Sequence, residues 1–376
     1  MPLTRSVIQN LKILFMHYPY AVSLAAFFIV LGVVILGYFN YYYIKYFHGS
    51  LHNYPESVAK QLRRALYHTN IDLQPQKAFE YYQKAMDKAR EEGMDPYSDE
   101  VLGIKLQLAY LMEVSNNIPN AIRILETIRA DCIARSIEAL SEPSLSPSKQ
   151  QIRRTRLLYK AVAISLKLSE YYANPYIRSD AAALETLLWA VNTVLRENAA
   201  RQSANATDDS HGPWLSSDEF GAILESLAHQ YEKDNNHFLA APLFLQALAA
   251  KEKTDCHSVV LMNNLSISLA QQDPPSEPGI PPPSREALVQ SAREWAEKAI
   301  RVAGKVEERD EECDVGCAVA MHNLGEFEEM VGRRKEAAER YREAVGVARG
   351  VGFAEGVKRS TEALKRLGEG QAIRNS

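Results

Sequence analysis

"LESLAHQYEKDNNHFLAAPLFLQA", Leu224 to Ala247, puts apolar residues on one face of each of two helices, with a polar break between them. Leu224, Leu227, Ala228 and Tyr231 share the first face, and Ala240, Phe244 and Ala247 share the second. Helices cross closely only where one offers a notch for the other's bulk, and the alanines are those notches. The same spacing returns around "NLGEFEEMVGRRKEAAERYREAV", Asn323 to Val345. There Met321, Leu324 and Gly325 precede a break at Gly332, and Ala337, Tyr341 and Ala344 follow it. Glu328 takes the place of the first-helix aromatic.

Fainter copies surround these two. Ala78, Tyr82 and Ala85 follow a poorer first helix around Leu62 to Thr69; Leu108, Ala109 and Met112 precede Ala121, Leu125 and Ile128. Tyr159, Val162, Ala163 and Leu166 pair with Ala183, Leu187 and Ala190 across a lengthened turn, "YYANPYIRSD". Leu265, Ser266 and Leu269 pair with Ala292, Ala296 and Ala299 across "QQDPPSEPGIPPPS", whose prolines cannot continue a helix and therefore loop outward. These pairs in series resemble tetratricopeptide repeats, helical hairpins of ~34 residues that bury their apolar faces only by stacking. The fold class that follows is all-α: a single N-terminal transmembrane helix, then an α-solenoid of about six irregular repeats. "SEPSLSPSKQ" (141–150) and "AARQSANATDDSHGP" (199–213) read as polar surface connections. Phe353 to Leu367, with Val357, Ala363, Leu364 and Leu367 amid charges, reads as a solvating cap helix. Nothing reads as strand.

The anchor is "AVSLAAFFIVLGVVILGY", Ala21 to Tyr38, with apolar character continuing to Ile44. Eighteen or more such residues reach across a bilayer. Tyr18 and Tyr20 precede the run and Tyr38, Tyr41, Tyr42 and Tyr43 follow it, as interfacial aromatic belts do. The large residues after it offer no small-x-small cleavage site, which argues against a secretory peptide. No acidic residue occurs before Glu56. Arg5 and Lys12 precede the span and Lys45 follows it, which places the N-terminus on the positive side. The organisation is thus a basic segment (1–19), a transmembrane helix (20–44), repeats (45–350), and a cap helix with tail (351–376).

With 43 basic and 47 acidic residues the net charge is -4, so the basic footprint of a nucleic-acid binder is missing. Cys132, Cys256, Cys313 and Cys317 are too few and too scattered for a disulfide scaffold. Cys313-x3-Cys317 has a spacing open to a redox pair or half a metal site. With no second pair and no histidine at zinc-finger spacing, these read as ordinary thiols, and no metal or other cofactor is expected. No Gly-rich phosphate loop, G-x-S-x-G or H-E-x-x-H occurs, and the nine histidines are dispersed, so no catalytic residue is expected and the chain reads as a non-enzyme.

One span followed by irregular repeats resembles the fungal adaptor subunit of the mitochondrial i-AAA protease. The likeness runs through the short basic start, "AAFFIVLGVVILGYFNYYYIKYF", "RRALYHTN" and "KAFEYYQKAMDKAREEGMDP". It implies a mitochondrial inner-membrane protein with its N-terminus in the matrix and its repeats in the intermembrane space. It also implies that the repeats bind the protease, a second membrane adaptor subunit and unfolded substrates for quality-control degradation. In such superhelices the first helix of each pair lines the concave surface. Carrying over its offsets gives Arg63 and Tyr67, Leu106 and Tyr110, Lys160, Ile164 and Lys167, Glu225 and His229, Asn263 and Ile267, and His322 and Glu326. The groove would be basic and apolar in its first half and more acidic in its second. Such a lining suits extended polypeptide with apolar anchors.

The alternative is an outer-membrane import receptor or a chaperone-docking protein, which grips an acidic tail through Lys, Arg and Asn. Asn264 and Asn323 suit that clamp, but Val260 and Val319 stand where it needs bases. A secretory-lumen scaffold is a further reading, since Asn205-Ala-Thr207 and Asn264-Leu-Ser266 fit the glycosylation pattern.

Overall fold

The computed structural model describes residues 16–43, 51–273 and 283–368. Arg5, Lys12, Ile44, Lys45 and residues 274–282 of the proline run lie outside the described residues. Among those described there are helices and turns and no strand. Helix α1 (Pro19–Tyr43) is followed by α2 (Glu56–Asn70), α3 (Pro75–Glu91), α4 (Asp99–Val114) and α5 (Ile118–Glu138). Next come α6 (Pro147–Tyr172), α7 (Asp180–Ser203) and a single turn, α8 (Asp208–His211). The remainder is α9 (Ser217–Lys233), α10 (His237–Ala250), α11 (Cys256–Gln271), α12 (Arg285–Ala303), α13 (Glu311–Met330), α14 (Arg334–Gly350) and α15 (Ala354–Arg366). Contacts divide the chain into two compact units, Met1–Ile124 and Leu125–Ser376, with the boundary inside α5.

In the first unit, α1 is long and apolar enough to cross a membrane: Pro19–Tyr41 has a mean hydropathy of 2.6 and none of its central window is buried. Helices α2 and α3 interlock through Val58, Leu62 and Ala65 against Ala78, Tyr82 and Ala85, and Val101, Ile104 and Leu111 of α4 extend the same core. The Tyr82 hydroxyl is buried but lies 3.2 Å from Thr69 Oγ1, so the ring enters the core without stranding its polar end.

In the second unit, one core runs from α6 and α7 through α9 and α10 to α11, joining Val162, Leu187, Leu224, Ala228, Phe244 and Leu265. The opening hairpin is α9–α10. A capping box at its start pairs Ser216 with Glu219. Asn235 closes α9 in the left-handed region, at φ 57°, with Asn236 N–H donating to Tyr231 O at 2.8 Å. Gly332 (φ 81°) ends α13 in the same way, Arg333 N–H donating to Glu328 O at 2.9 Å. The first unit repeats the device at Asn116 (φ 56°), beyond α4. Each is a Schellman-type stop, in which a residue tolerant of positive φ turns the chain back sharply enough for a hairpin.

Gly325 explains why small residues recur. A Cβ built there would lie 2.6 Å from the Tyr341 ring, which fills the notch. Gly325→Ala is expected to overpack the α13–α14 seam and cost about 1–3 kcal/mol. Gly346→Ala, on α14 with nothing within 4 Å, should instead stabilise. Paired denaturation curves check this; equal shifts of the same sign would mean that the seam does not need its notch.

The structure departs from expectation in several places. Residues 147–150 are not connection: Pro147 occupies the first turn of α6, where its missing N–H costs nothing. Helix α7 continues to Ser203, and α8 adds a turn inside the second polar stretch. Glu328, the odd residue in the aromatic position, is 4% exposed and is held by Arg293 at 2.8 Å and Arg333 at 3.2 Å. Most consequentially, Cys313 is not an ordinary thiol: it forms a disulfide with Cys256, 57 residues away, while Cys132 and Cys317 take part in no disulfide. Helix α15 packs Ala363 and Leu364 against Ala337, Ala338 and Tyr341 of α14.

Candidate peptide-binding groove

First helices carry every residue expected to line a groove: α2 and α4 in the first unit, and α6, α9, α11 and α13 in the second. Tyr67 and Tyr110 are 46% and 43% exposed, a large area of ring left in water. Leu106, one turn before Tyr110 on α4, is half-buried, and Arg63 is half-buried and paired with Glu56.

In the second unit, Lys160, Lys167 and Ile267 are half-buried. Lys167 lies 3.1 Å from Glu170 and over the Tyr171 ring. Two of the expected residues are buried, and Asn263 lines the floor of a cavity between α11 and α13. Ile164 is 5% exposed because α6 is covered on several sides, with Arg129 of α5 bonded to Ser165 at 2.7 Å and stacked on Trp189 of α7. Asn263 is 3% exposed and donates from Nδ2 to Gly316 O at 2.9 Å, so it joins α11 to α13. His322 is tied to α15 through Ser360, 2.9 Å away, and to Glu326 at 3.5 Å.

Glu225 and His229 belong to a charged cluster that crosses three first helices. The Glu225 carboxylate meets His229 Nε2 at 3.6 Å and His257 Nε2 at 2.8 Å. Glu232 is 3.0 Å from His229 Nδ1, and Glu312 is 3.4 Å from His257 Nδ1. Burial pushes the Glu225 carboxyl up, but hydrogen bonds and charge from both histidines outweigh it and hold it at about 2. His229 is raised to about 9 by its bonds to Glu225 and Glu232, and His257 is raised chiefly by Glu225.

The sign of the pH dependence follows. The contribution of Glu225 is complete above its unfolded value of 4.5 and is lost as pH falls towards about 2. That of His229 is complete below 6.5 and is lost as pH rises through about 9. The penalty of Glu225→Gln should therefore be greatest between pH 4.5 and 6.5 and shrink on both sides. Melting curves of both proteins across pH 3 to 10 measure it (range on the order of the ordinary carboxylate-to-tyrosine span); a pH-independent difference would show that the cluster does not act electrostatically.

Between α11 and α13 lies a cavity of about 400 Å³. Val260, Val315 and Val319 form its apolar wall, Asn264 stands at one side, and Glu311 and Glu312 stand at its α13 end. The disulfide joins the N-termini of the same two helices. Its sulfurs and an Asp310 oxygen lie within 4.8 Å of one another, but bonded sulfurs leave no thiolate for a metal. The repeat register held a signal for this bridge. Leu265 and Leu324 are equivalent, and Cys256 and Cys313 stand nine and eleven residues before them (265−256 and 324−313), at nearly the same height on neighbouring first helices.

No protein-family model matches the chain. A Schizosaccharomyces pombe protein described as TPR repeat-containing is 27% identical over 322 residues, which is 84% of this chain and 79% of that protein. Saccharomyces cerevisiae Protein MRG3-like is 28% identical over 160 residues, 42% of this chain and 31% of that one. Among solved structures, a Podosopora anserina putative kinesin light chain with nearly identical TPR-like repeats covers 66% of this chain and 96% of its own length (18% identity, TM-score 0.42). BtubC from P. vanneervenii covers 74% and 92% (13% identity, TM-score 0.44).

Proposed function

We propose that this chain is a membrane-anchored, non-catalytic adaptor that captures unfolded or membrane-protein substrates for the mitochondrial i-AAA protease. One observation carries the reading: an apolar helix with no buried window precedes repeat hairpins that leave Tyr67 and Tyr110 open to a partner. Aromatic side chains dominate many binding surfaces because they bury large area at small entropic cost. Tethering then adds effective concentration, since substrate and protease share the same membrane surface. The disulfide supports placing the repeats on an oxidising side, the intermembrane space, with the N-terminus in the matrix. Protease and a second membrane adaptor subunit are the proposed stable partners. The carboxylate-clamp alternative is disfavoured, because Val260 and Val319 make an apolar wall where bases are needed.

Protection of a C-terminal tag tests the placement. In mitochondria with an intact outer membrane the tag should survive added protease; after rupture of that membrane it should be digested. Digestion in intact organelles would sink the inner-membrane assignment, and survival after rupture would invert the orientation.

A further inference from the structure

The cavity between α11 and α13 has the features of a specificity pocket, and its walls are already fixed. Asn263 bonds across the seam to Gly316 O at 2.9 Å, and Cys256 is bonded to Cys313 above it. A Cβ on Gly316 would meet Val259 Cγ1 at 2.9 Å, so the close approach of the helices depends on that glycine. A preformed pocket spares its ligand the entropy of ordering it. At about 400 Å³ it lies near the small end of ligand sites, ~300–1,000 Å³, and takes a side chain rather than a folded surface.

The chemistry of the wall and rim differ sharply. Three half-buried valines offer only apolar contact. Glu311 is exposed and has no ion-pair partner among the described residues. Glu312 is also exposed, and its partner His257 is already shared with Glu225. The rim therefore keeps the Glu311 charge unanswered and leaves Glu312 to share one histidine with Glu225. Asn264, half-exposed on the facing wall, adds an amide able to pair with main chain.

We propose that this pocket anchors one apolar side chain of an extended polypeptide whose neighbouring lysine or arginine residues meet Glu311 and Glu312. The assignment rests on the reading of the chain as a polypeptide-binding scaffold and gives that scaffold a preference: apolar residues set among basic ones. Charge complementarity selects this occupant over an acidic tail, which the same rim would repel.

The test uses the full chain in detergent micelles with three short fluorescent peptides: leucine between lysines, serine between lysines, and leucine between glutamates. The first should bind about tenfold tighter than the second, the worth of burying one leucine side chain. It should bind about fivefold tighter than the third, the worth of two exposed charge pairs. Glu311→Gln with Glu312→Gln should erase the lysine-over-glutamate preference and keep leucine over serine. Val315→Ser should weaken leucine over serine. Both variants alter exposed or half-buried side chains, and unchanged melting curves confirm their folding. Equal affinities for the three peptides, a preference for glutamate, or variants without effect would overturn the pocket assignment. If a reduced, unfolded client protein still binds in that case, only the pocket fails; if nothing binds, the scaffold reading fails with it.

Discussion

The Leu31→Arg, Val34→Arg double variant is expected to leave the membrane pellet and appear in the alkaline-extracted supernatant. Both positions lie near the middle of α1, and both side chains are exposed in a helix whose apolar window is not buried among the described residues. A soluble protein has no reason to leave Phe27, Phe28, Ile29 and Val30 in water on one continuous helix. A bilayer removes the problem, because its core is as apolar as they are. Each central arginine costs ~2.5–3.5 kcal/mol on insertion scales, so the pair costs about 6 kcal/mol. That is enough to shift the helix from almost wholly inserted to mostly excluded. Conservative Leu31→Val and Val34→Leu changes should leave the protein in the pellet. Retention of the arginine variant in the pellet after carbonate treatment would remove the anchor from this chain's description.

Loss of the Cys256–Cys313 bond is the second large effect expected. Closing a loop of 57 residues removes, in the chain-entropy treatment, about 4 kcal/mol of freedom from the unfolded state. Both residues are buried at the start of first helices, so their separation also loosens the α11–α13 seam. Cys256→Ala with Cys313→Ala should lower the urea midpoint strongly, and reductant should do the same to the native chain. Cys317→Ala, at a free and half-buried thiol, should have little effect. If reductant and the double substitution leave the midpoint untouched, the bond contributes nothing and gives no support to an oxidising compartment.

What the sequence made legible was periodic and apolar. Ala240, Phe244 and Ala247 or Gly325, Ala337 and Tyr341 declare themselves by spacing, because a notch must recur wherever a helix crosses. The stops at Asn235 and Gly332 are similarly local, needing only a residue tolerant of positive φ. What stayed hidden depends on neighbours distant in the chain. Glu328 reads as a fault in the pattern until Arg293 and Arg333 are placed around it. Offsets suited to a helix covered on one side do not reveal how deeply Ile164 and Asn263 are buried. The cover that α5 gives α6, and the close approach of α13 at Gly316, are tertiary facts. Proline misled in a different way: Pro147 resembles a breaker in sequence, yet serves as a starter at the first turn of α6. The two cysteines are far apart in sequence, and only the repeat register brings them to one height.

A chain drawn out by one end would feel the disulfide as a limit on extension. Repeat arrays can yield hairpin by hairpin, each releasing its own length of slack. Pulled from the C-terminus, the second unit would surrender α15 and α14 first. The bond then withholds the 57-residue segment that includes all of α12, about 190 Å of contour at ~3.3–3.6 Å per residue. Under the proposed role beside a protease, such a stop would separate adaptor from cargo: a linear cargo would run through, while this chain would present a closed loop that cannot be threaded as a single strand.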